Sequence, residues 1–230
     1  MTTVQTWDPE RYARNARFVS DLAAPVVELL SPRAGERILD LGCGDGILTA
    51  KFAVMGCEVV GVDGSAAQVE AARKLGPDAR AMDGQNLSFE GAFDAVFSNA
   101  ALHWMRNPGG HGCCAKIQRA LVDALNRRGM DGEAAVPWYF PTVDEYSMLL
   151  KKAGFSIGYI ALIPRPTPLP GDITGRLETF GESFTARLPT PERAAYFAEV
   201  REALRPGLCD SRGQWTADYV RLRFAATRQD

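Results

Sequence analysis

The chain has 230 residues but only two histidines, His103 and His111, and five cysteines, at positions 43, 57, 113, 114 and 209. The cysteines form no paired framework of the kind that staples a small secreted domain. A metal site built on His111, Cys113 and Cys114 lacks a second ligand pair at zinc spacing. Long apolar runs are also absent: Val26 to Leu30 and Tyr159 to Ile163 fall far short of a membrane span. The N-terminus, Met1 to Asp8, has no basic stretch followed by an apolar one, so no secretory signal is expected and a cytoplasmic location is. Excess positive charge is missing too. Lys and Arg number 26 against 28 Asp and Glu, a net charge of −2, which argues against nucleic acid as the main partner.

What remains is ordinary for a globular protein: 46% hydrophobic and 23% charged residues, in a chain long enough for one large domain with a substantial core. The informative segment is Arg37-Ile-Leu-Asp-Leu-Gly-Cys-Gly-Asp-Gly-Ile-Leu-Thr49. It reads as a buried strand entering a loop with Gly42, Gly44 and Gly46, followed by a helix from Ile47. Glycine accepts positive φ and has no Cβ, so such a loop lets a ligand approach the backbone. Two phosphate signatures are absent. The third glycine of G-x-G-x-x-G is replaced by Ile47, and there is no Gly-Lys-Ser/Thr. The loop carries Asp40 and Asp45 instead. A carboxylate beside a pyrophosphate costs on the order of 1 to 4 kcal/mol at contact, whereas beside an ammonium it attracts.

Glu58 to Asp63 reads as the next buried strand, ending in a carboxylate about twenty residues after Gly42, where a doubly wound sheet places the acid that binds ribose hydroxyls. The ligand these features describe is a ribonucleoside carrying an ammonium and no phosphate. S-adenosylmethionine has that chemistry. With D-x-G-x-G-x-G and the acid after the second strand, the chain resembles the class I S-adenosylmethionine-dependent methyltransferases. The fold this implies is α/β, a doubly wound and mostly parallel Rossmann-like sheet in one domain. Residues 1–108 would form the cofactor half, and 109–230 a C-terminal half with a helical cap at about 172–206.

Alternating elements support this organisation. Helices are expected at about Arg11 to Leu30, Ile47 to Met55, Ser65 to Leu75 and Cys113 to Arg128. Others are expected from Thr142, which opens a capping box with Glu145, across Ile173 to Arg187, and from a cap at Thr190 to Leu204. Strands are expected at Ala79 to Met82, Ala92 to Ser98, Phe155 to Ile163 and Gln214 to Thr227. Arg165-Pro-Thr-Pro-Leu-Pro-Gly171 reads as a rigid turn-forming link. Between Pro108 and Gly109 the chain lacks the helix and fifth parallel strand that the family places after strand four, about twenty residues counting the crossover. Such a sheet closes with one fewer strand or carries a gap.

Trp7 to Tyr12, Asn99 to Trp104, Gly109 to Gly112 and Pro137 to Pro141 resemble the small-molecule branch around trans-aconitate methyltransferase. That resemblance implies roles. Asp40, Gly42 and Gly44 hold the methionine end of the cofactor, and Asp63 takes the ribose hydroxyls. Gly64 and Ser65 line the adenosine, while Asp83 and Gly84 meet the adenine; Asp83 otherwise reads as a turn-forming Asp-Gly. Asn99 and Ala100 face the methionine moiety, and Trp7 and Tyr12 form a lid or a hydrophobic staple. His103 and Trp104 are the catalytic candidates. If the acceptor is a carboxylate, orientation suffices; if it is a hydroxyl or amine, His103 takes the proton. The expected partner is a small-molecule substrate, with a carboxylate oxygen as the leading acceptor. The rival reading is a module that binds S-adenosylmethionine without transferring its methyl group.

Overall fold

The computed structural model describes residues 23–102 and 110–229, which divide into two compact units at that break. The first unit holds helix α1 (Ala24–Leu30), β1 (Arg37–Leu41), α2 (Ile47–Val54), β2 (Glu58–Asp63), α3 (Ala66–Lys74), β3 (Asp78–Ala81) and β4 (Ala95–Phe97). The four strands are parallel, in the order β3-β2-β1-β4. Ile38 pairs with both Val59 and Ala95, and these side chains point to one face of the sheet. That face packs against Val27 of α1 and Phe52 of α2, with the Phe52 and Phe97 rings edge to face at 4.8 Å. Ala79 of β3 meets Val69 and Ala72 of α3 on the same side. The opposite face carries Val96, 60% exposed.

The second unit contains α4 (Ala115–Asn126), α5 (Val143–Lys152), β5 (Phe155–Pro168), α6 (Thr174–Phe180), α7 (Glu182–Thr185), α8 (Arg193–Leu208) and β6 (Thr216–Arg228). β5 and β6 pair antiparallel along their length. Ile117, Leu121 and Leu125 recur at helical spacing, so α4 buries one stripe. Across it lie Tyr196, Val200 and Leu204 of α8, with the Tyr196 hydroxyl donating to Leu121 O at 2.8 Å. Thr142 and Glu145 form the expected capping box at the start of α5.

Several boundaries differ from the sequence reading. The segment read as a rigid link continues β5 to Pro168, because Pro164, Pro166 and Pro168 fall at alternate positions. A two-residue spacing puts all three missing N–H groups on one edge, which an edge strand tolerates. Thr190 does not cap α8. It begins a short 3₁₀ turn, Thr190–Glu192, and the helix starts at Arg193. The helix expected over Ile173 to Arg187 is broken at Gly181, where a Cβ would lie 2.5 Å from Leu177 O. β4 is shorter than expected, and of the first expected helix the described residues are 23–30, of which 24–30 are helical. Among the described residues no strand intervenes between β4 and β5, and β4 pairs with β1 alone, as the missing fifth strand implies.

Candidate cofactor-binding site

The candidate residues of the first unit gather where its four parallel strands end, the edge at which open α/β sheets bind ligands. Beyond Leu41, the N–H groups of Gly42 and Cys43 both donate to Val62 O, at 2.8 and 3.0 Å, and draw the loop across the end of β2. Gly61 permits this: a Cβ there would lie 3.0 Å from the Cys43 Cβ and Sγ. Two loop glycines have separate tasks. A Cβ on Gly46 would sit 2.6 Å from Ala72 Cβ, so Gly46 seats α2 against α3. A Cβ on Gly44 would meet nothing within 4 Å, yet its φ is +56° and its N–H donates to Asp63 Oδ2 at 3.0 Å. Gly44 therefore leaves open space above a backbone aimed at a carboxylate.

Asp40 is 2% exposed and accepts from Thr49 Oγ1 at 2.7 Å. Burial pushes its carboxyl up to about 7; the Thr49 bond opposes that shift and the nearby Asp63 charge adds to it. Asp63 is half-buried, and its other oxygen accepts from Ser65 N at 2.9 Å. Burial raises its carboxyl as well, against the two backbone bonds from Ser65 and Gly44. The Cys43 thiol is pushed up to about 12, first by burial and then by Asp40 and Asp63, which removes it as a nucleophile. A site with one buried and one half-buried carboxylate that want compensation repels phosphate and attracts a cation.

The remaining candidates surround this pair. Ser65 caps α3 by accepting from Gln68 N at 3.4 Å, and a Cβ on the exposed Gly64 would find open space. Asp83 is exposed and folds into an Asx turn, Oδ1 accepting from Gln85 N at 2.9 Å, with Gly84 inside that turn. Its strand stays beside β2 through the bond from Met82 N to Asp63 O at 3.0 Å. The Ser98 hydroxyl donates to Leu41 O at 2.8 Å and ties the end of β4 to β1, just before Asn99 and Ala100. Ala100 has φ +56°, a left-handed conformation costly for a residue with a Cβ. Trp7, Tyr12, His103 and Trp104 lie outside the described residues.

Sequence reasoning missed Thr49 and Gly61. Each had a signal: Thr49 is a lone hydroxyl on an otherwise apolar helix face, and Gly61 interrupts a valine-rich strand. In the second unit, Trp138 stacks on Phe140 with centroids 6.2 Å apart and leans on Phe184, whereas Tyr139 is exposed.

A Rossmann-like sheet whose strand ends present Asp40, a glycine loop and Asp63 defines a nucleoside-binding protein of the methyltransferase class. The comparisons agree. The methyltransferase-domain family profile matches residues 38–124. The chain is 34% identical to an uncharacterized methyltransferase of Schizosaccharomyces pombe, covering 97% of this chain and 98% of that protein. It is 39% identical to the trans-aconitate 2-methyltransferase of Rhodococcus jostii over 104 residues, 43% of this chain and 40% of that enzyme. A putative methyltransferase from Bacillus halodurans shares the fold, with a TM-score of 0.56 at 13% identity over 90% of this chain and 98% of that one. The chain belongs to the class I S-adenosylmethionine-dependent methyltransferases, and its cofactor is S-adenosylmethionine. The open space at Gly44, the buried Asp40 and the half-buried Asp63 fit that group.

Proposed function

We propose that this protein transfers a methyl group from S-adenosylmethionine to a carboxylate oxygen of a small organic acid. The observation that carries the cofactor half is the Gly44 backbone held to Asp63 with open space above it. Asp63 would accept the ribose hydroxyls, with Gly64 and Ser65 along the adenosine. Asp83 and Gly84 would meet the adenine, Asp83 through Oδ2, since Oδ1 serves its turn. Asp40, Gly42 and Gly44, with Asn99 and Ala100, would hold the methionine end. The relative that methylates trans-aconitate supports a carboxylate acceptor.

The cofactor supplies an already activated methyl group on a sulfonium. The protein must therefore align the acceptor in line with it and exclude water. No base is needed for a carboxylate, and the proposed task of His103 and Trp104 is to orient it. For a hydroxyl or amine acceptor, the second reading, His103 would take the proton.

Incubation with methyl-labelled S-adenosylmethionine and a panel of small acids, alcohols and amines tests this. A carboxylate product is a methyl ester, and mild alkali releases its label as methanol. Alkali-stable label would assign the hydroxyl or amine reading. Tight binding of S-adenosylhomocysteine with no transfer to any acceptor would leave a cofactor-binding module.

A further inference from the structure

Two adjacent cysteines at the entrance to α4 are held among guanidinium groups. Cys114, the residue before Ala115, has φ +54°, a left-handed conformation costly for a residue with a Cβ. Its N–H donates to Asp218 O at 2.9 Å and that of Cys113 to Gly110 O at 3.0 Å, which fixes both backbones. The two Sγ atoms lie 3.9 Å apart and both residues are buried. Arg176 of α6 and Arg221 of β6 cluster on the Tyr219 ring, 5.3 and 4.9 Å from its centroid, and Arg176 also stacks at 3.7 Å on Phe180. Arg176 Nη2 donates to Cys114 Sγ at 3.6 Å, while its Nε and Nη1 are sealed from solvent without a hydrogen-bond acceptor.

The pair holds its protons unevenly. The hydrogen bond from Cys114, then the Val220 N–H and the charges of Arg221 and Arg176, hold the Cys113 thiol below its ordinary range against the effect of burial. Cys114, which donates to Cys113 and is buried, is pushed up. One sulfur is therefore the nucleophile, and its neighbour is a proton donor in contact with it. The other buried cysteines have different surroundings. Burial first, then Asp40 and Asp63, raise Cys43; burial, then Glu36, raise Cys57, whose Sγ donates to Arg33 O at 3.3 Å. Beside the Cys113–Cys114 pair, by contrast, stands a guanidinium with sealed N–H groups, and sealed donors of this kind call for an oxygen acceptor.

We propose that Cys113 and Cys114 are a reversible oxidation site for hydrogen peroxide, in which Cys113 attacks the oxidant, Cys114 resolves the product and Arg176 holds the oxygen. The Cys113 thiolate forms an S–O bond as the O–O bond breaks. The sulfur gives two electrons to the peroxide, and hydroxide leaves and takes a proton from solvent. The Arg176 N–H groups that lack an acceptor donate to the oxygens as negative charge develops on them. The Cys114 sulfur then attacks the sulfenic sulfur: an S–S bond forms, the S–O bond breaks, and the oxygen leaves as water with the Cys114 proton. Two thiols and one hydrogen peroxide thus become one disulfide and two waters. Cys113 is 5% exposed and Cys114 2%, which favours an oxidant near the size of water over bulky reagents. Consecutive Cα atoms are about 3.8 Å apart, below the roughly 4.4 Å at which ordinary disulfides begin, so the bridge is strained and readily reduced. The site rests on the second unit alone and does not depend on the methyl-transfer reading.

To test this, the reduced full chain is exposed to a slight excess of hydrogen peroxide, quenched in acid, unfolded, alkylated with N-ethylmaleimide and mapped by peptide mass. The peptide carrying Cys113 and Cys114 should lose two hydrogens and escape alkylation while Cys43 and Cys57 remain thiols, and dithiothreitol should restore it. In Cys114→Ser the same peptide should instead gain one oxygen on Cys113, and in Cys113→Ser the Cys114 thiol should stay reduced. Arg176→Gln should slow oxidation by about tenfold or more, the range of a lost charge-assisted hydrogen bond. Cooperative thermal unfolding reports folding of each variant, and the two cysteine variants carry the test if Arg176→Gln does not fold. Alkylation of both cysteines after an exposure that oxidises Cys43 or Cys57 overturns the proposal, as does oxidation of Cys114 in Cys113→Ser. An unchanged rate in folded Arg176→Gln removes Arg176 from the site, and oxygen retained on Cys113 in the wild type removes Cys114 as the resolving thiol.

Discussion

Asp40 and Asp63 end adjacent strands, yet the two carboxylates are held in different ways, and this separates their predicted effects. Asp63 faces the loop and is bonded by backbone N–H groups. Losing a charge-assisted hydrogen bond costs about 1.5 to 3 kcal/mol. Asp63→Ala should therefore weaken S-adenosylhomocysteine binding by about tenfold to a hundredfold; unchanged affinity in a calorimeter would remove Asp63 from the site. Asp40 is buried and titrates near 7, against an ordinary value of 3.8. Between those values the folded protein holds a proton that the unfolded chain has lost, so this residue's contribution to stability falls as pH rises from about 4 to 7. The slope is up to about 1.4 kcal/mol per pH unit. Asp40→Asn has no proton to lose. Thermal unfolding from pH 4 to 7.5 should show the wild type losing stability relative to that variant, and a constant difference would contradict the assignment. A cationic ligand favours the ionised form, so cofactor affinity should rise with pH toward 7 and binding should release a proton. Both acids were legible in the sequence because a strand followed by a glycine loop fixes where its last carboxylate goes. Thr49 was not, because a hydroxyl on a helix becomes meaningful only once the carboxylate it serves is known to be buried.

At the scale of elements, the loop between β1 and α2 joins two functions that its glycine pattern does not distinguish. Gly46 is needed for the contact with Ala72 of α3, and Gly44 for the space it leaves open. Both have positive φ, which costs a non-glycine residue about 1 to 2 kcal/mol. Gly44→Ala should then lose roughly that much stability but most of its S-adenosylhomocysteine affinity. Gly46→Ala should lose more stability, because a Cβ 2.6 Å from Ala72 forces the helices apart. Melting temperature and ligand affinity measured on both variants would have to reverse this order to refute the division. The same kind of ambiguity explains the errors of boundary. Three alternate prolines signal a turn when counted, and an edge strand when their spacing is used. Thr190 has the chemistry of a cap, but Pro191 and Glu192 complete a 3₁₀ turn before the helix begins.

At the scale of the molecule, the parallel pairing of β1 to β4 was readable from alternating apolar and helical periods, and the lack of a fifth parallel strand among the described residues from the pattern that the family places after β4. What was not readable is the arginine cluster of the second unit. It depends on which β5 residue stands opposite which β6 residue, and on α6 returning to Tyr219, neither of which a single chain pattern specifies. The proposed cofactor site belongs to the first unit, at strand ends in residues 23–102. Hydrogen exchange can test it, since a ligand slows opening of the elements whose native state it binds. S-adenosylhomocysteine should protect the amides of Gly42 to Gly46 and Ser65. Protection by S-adenosylhomocysteine that spared the glycine loop would displace the cofactor from Asp40 and Asp63.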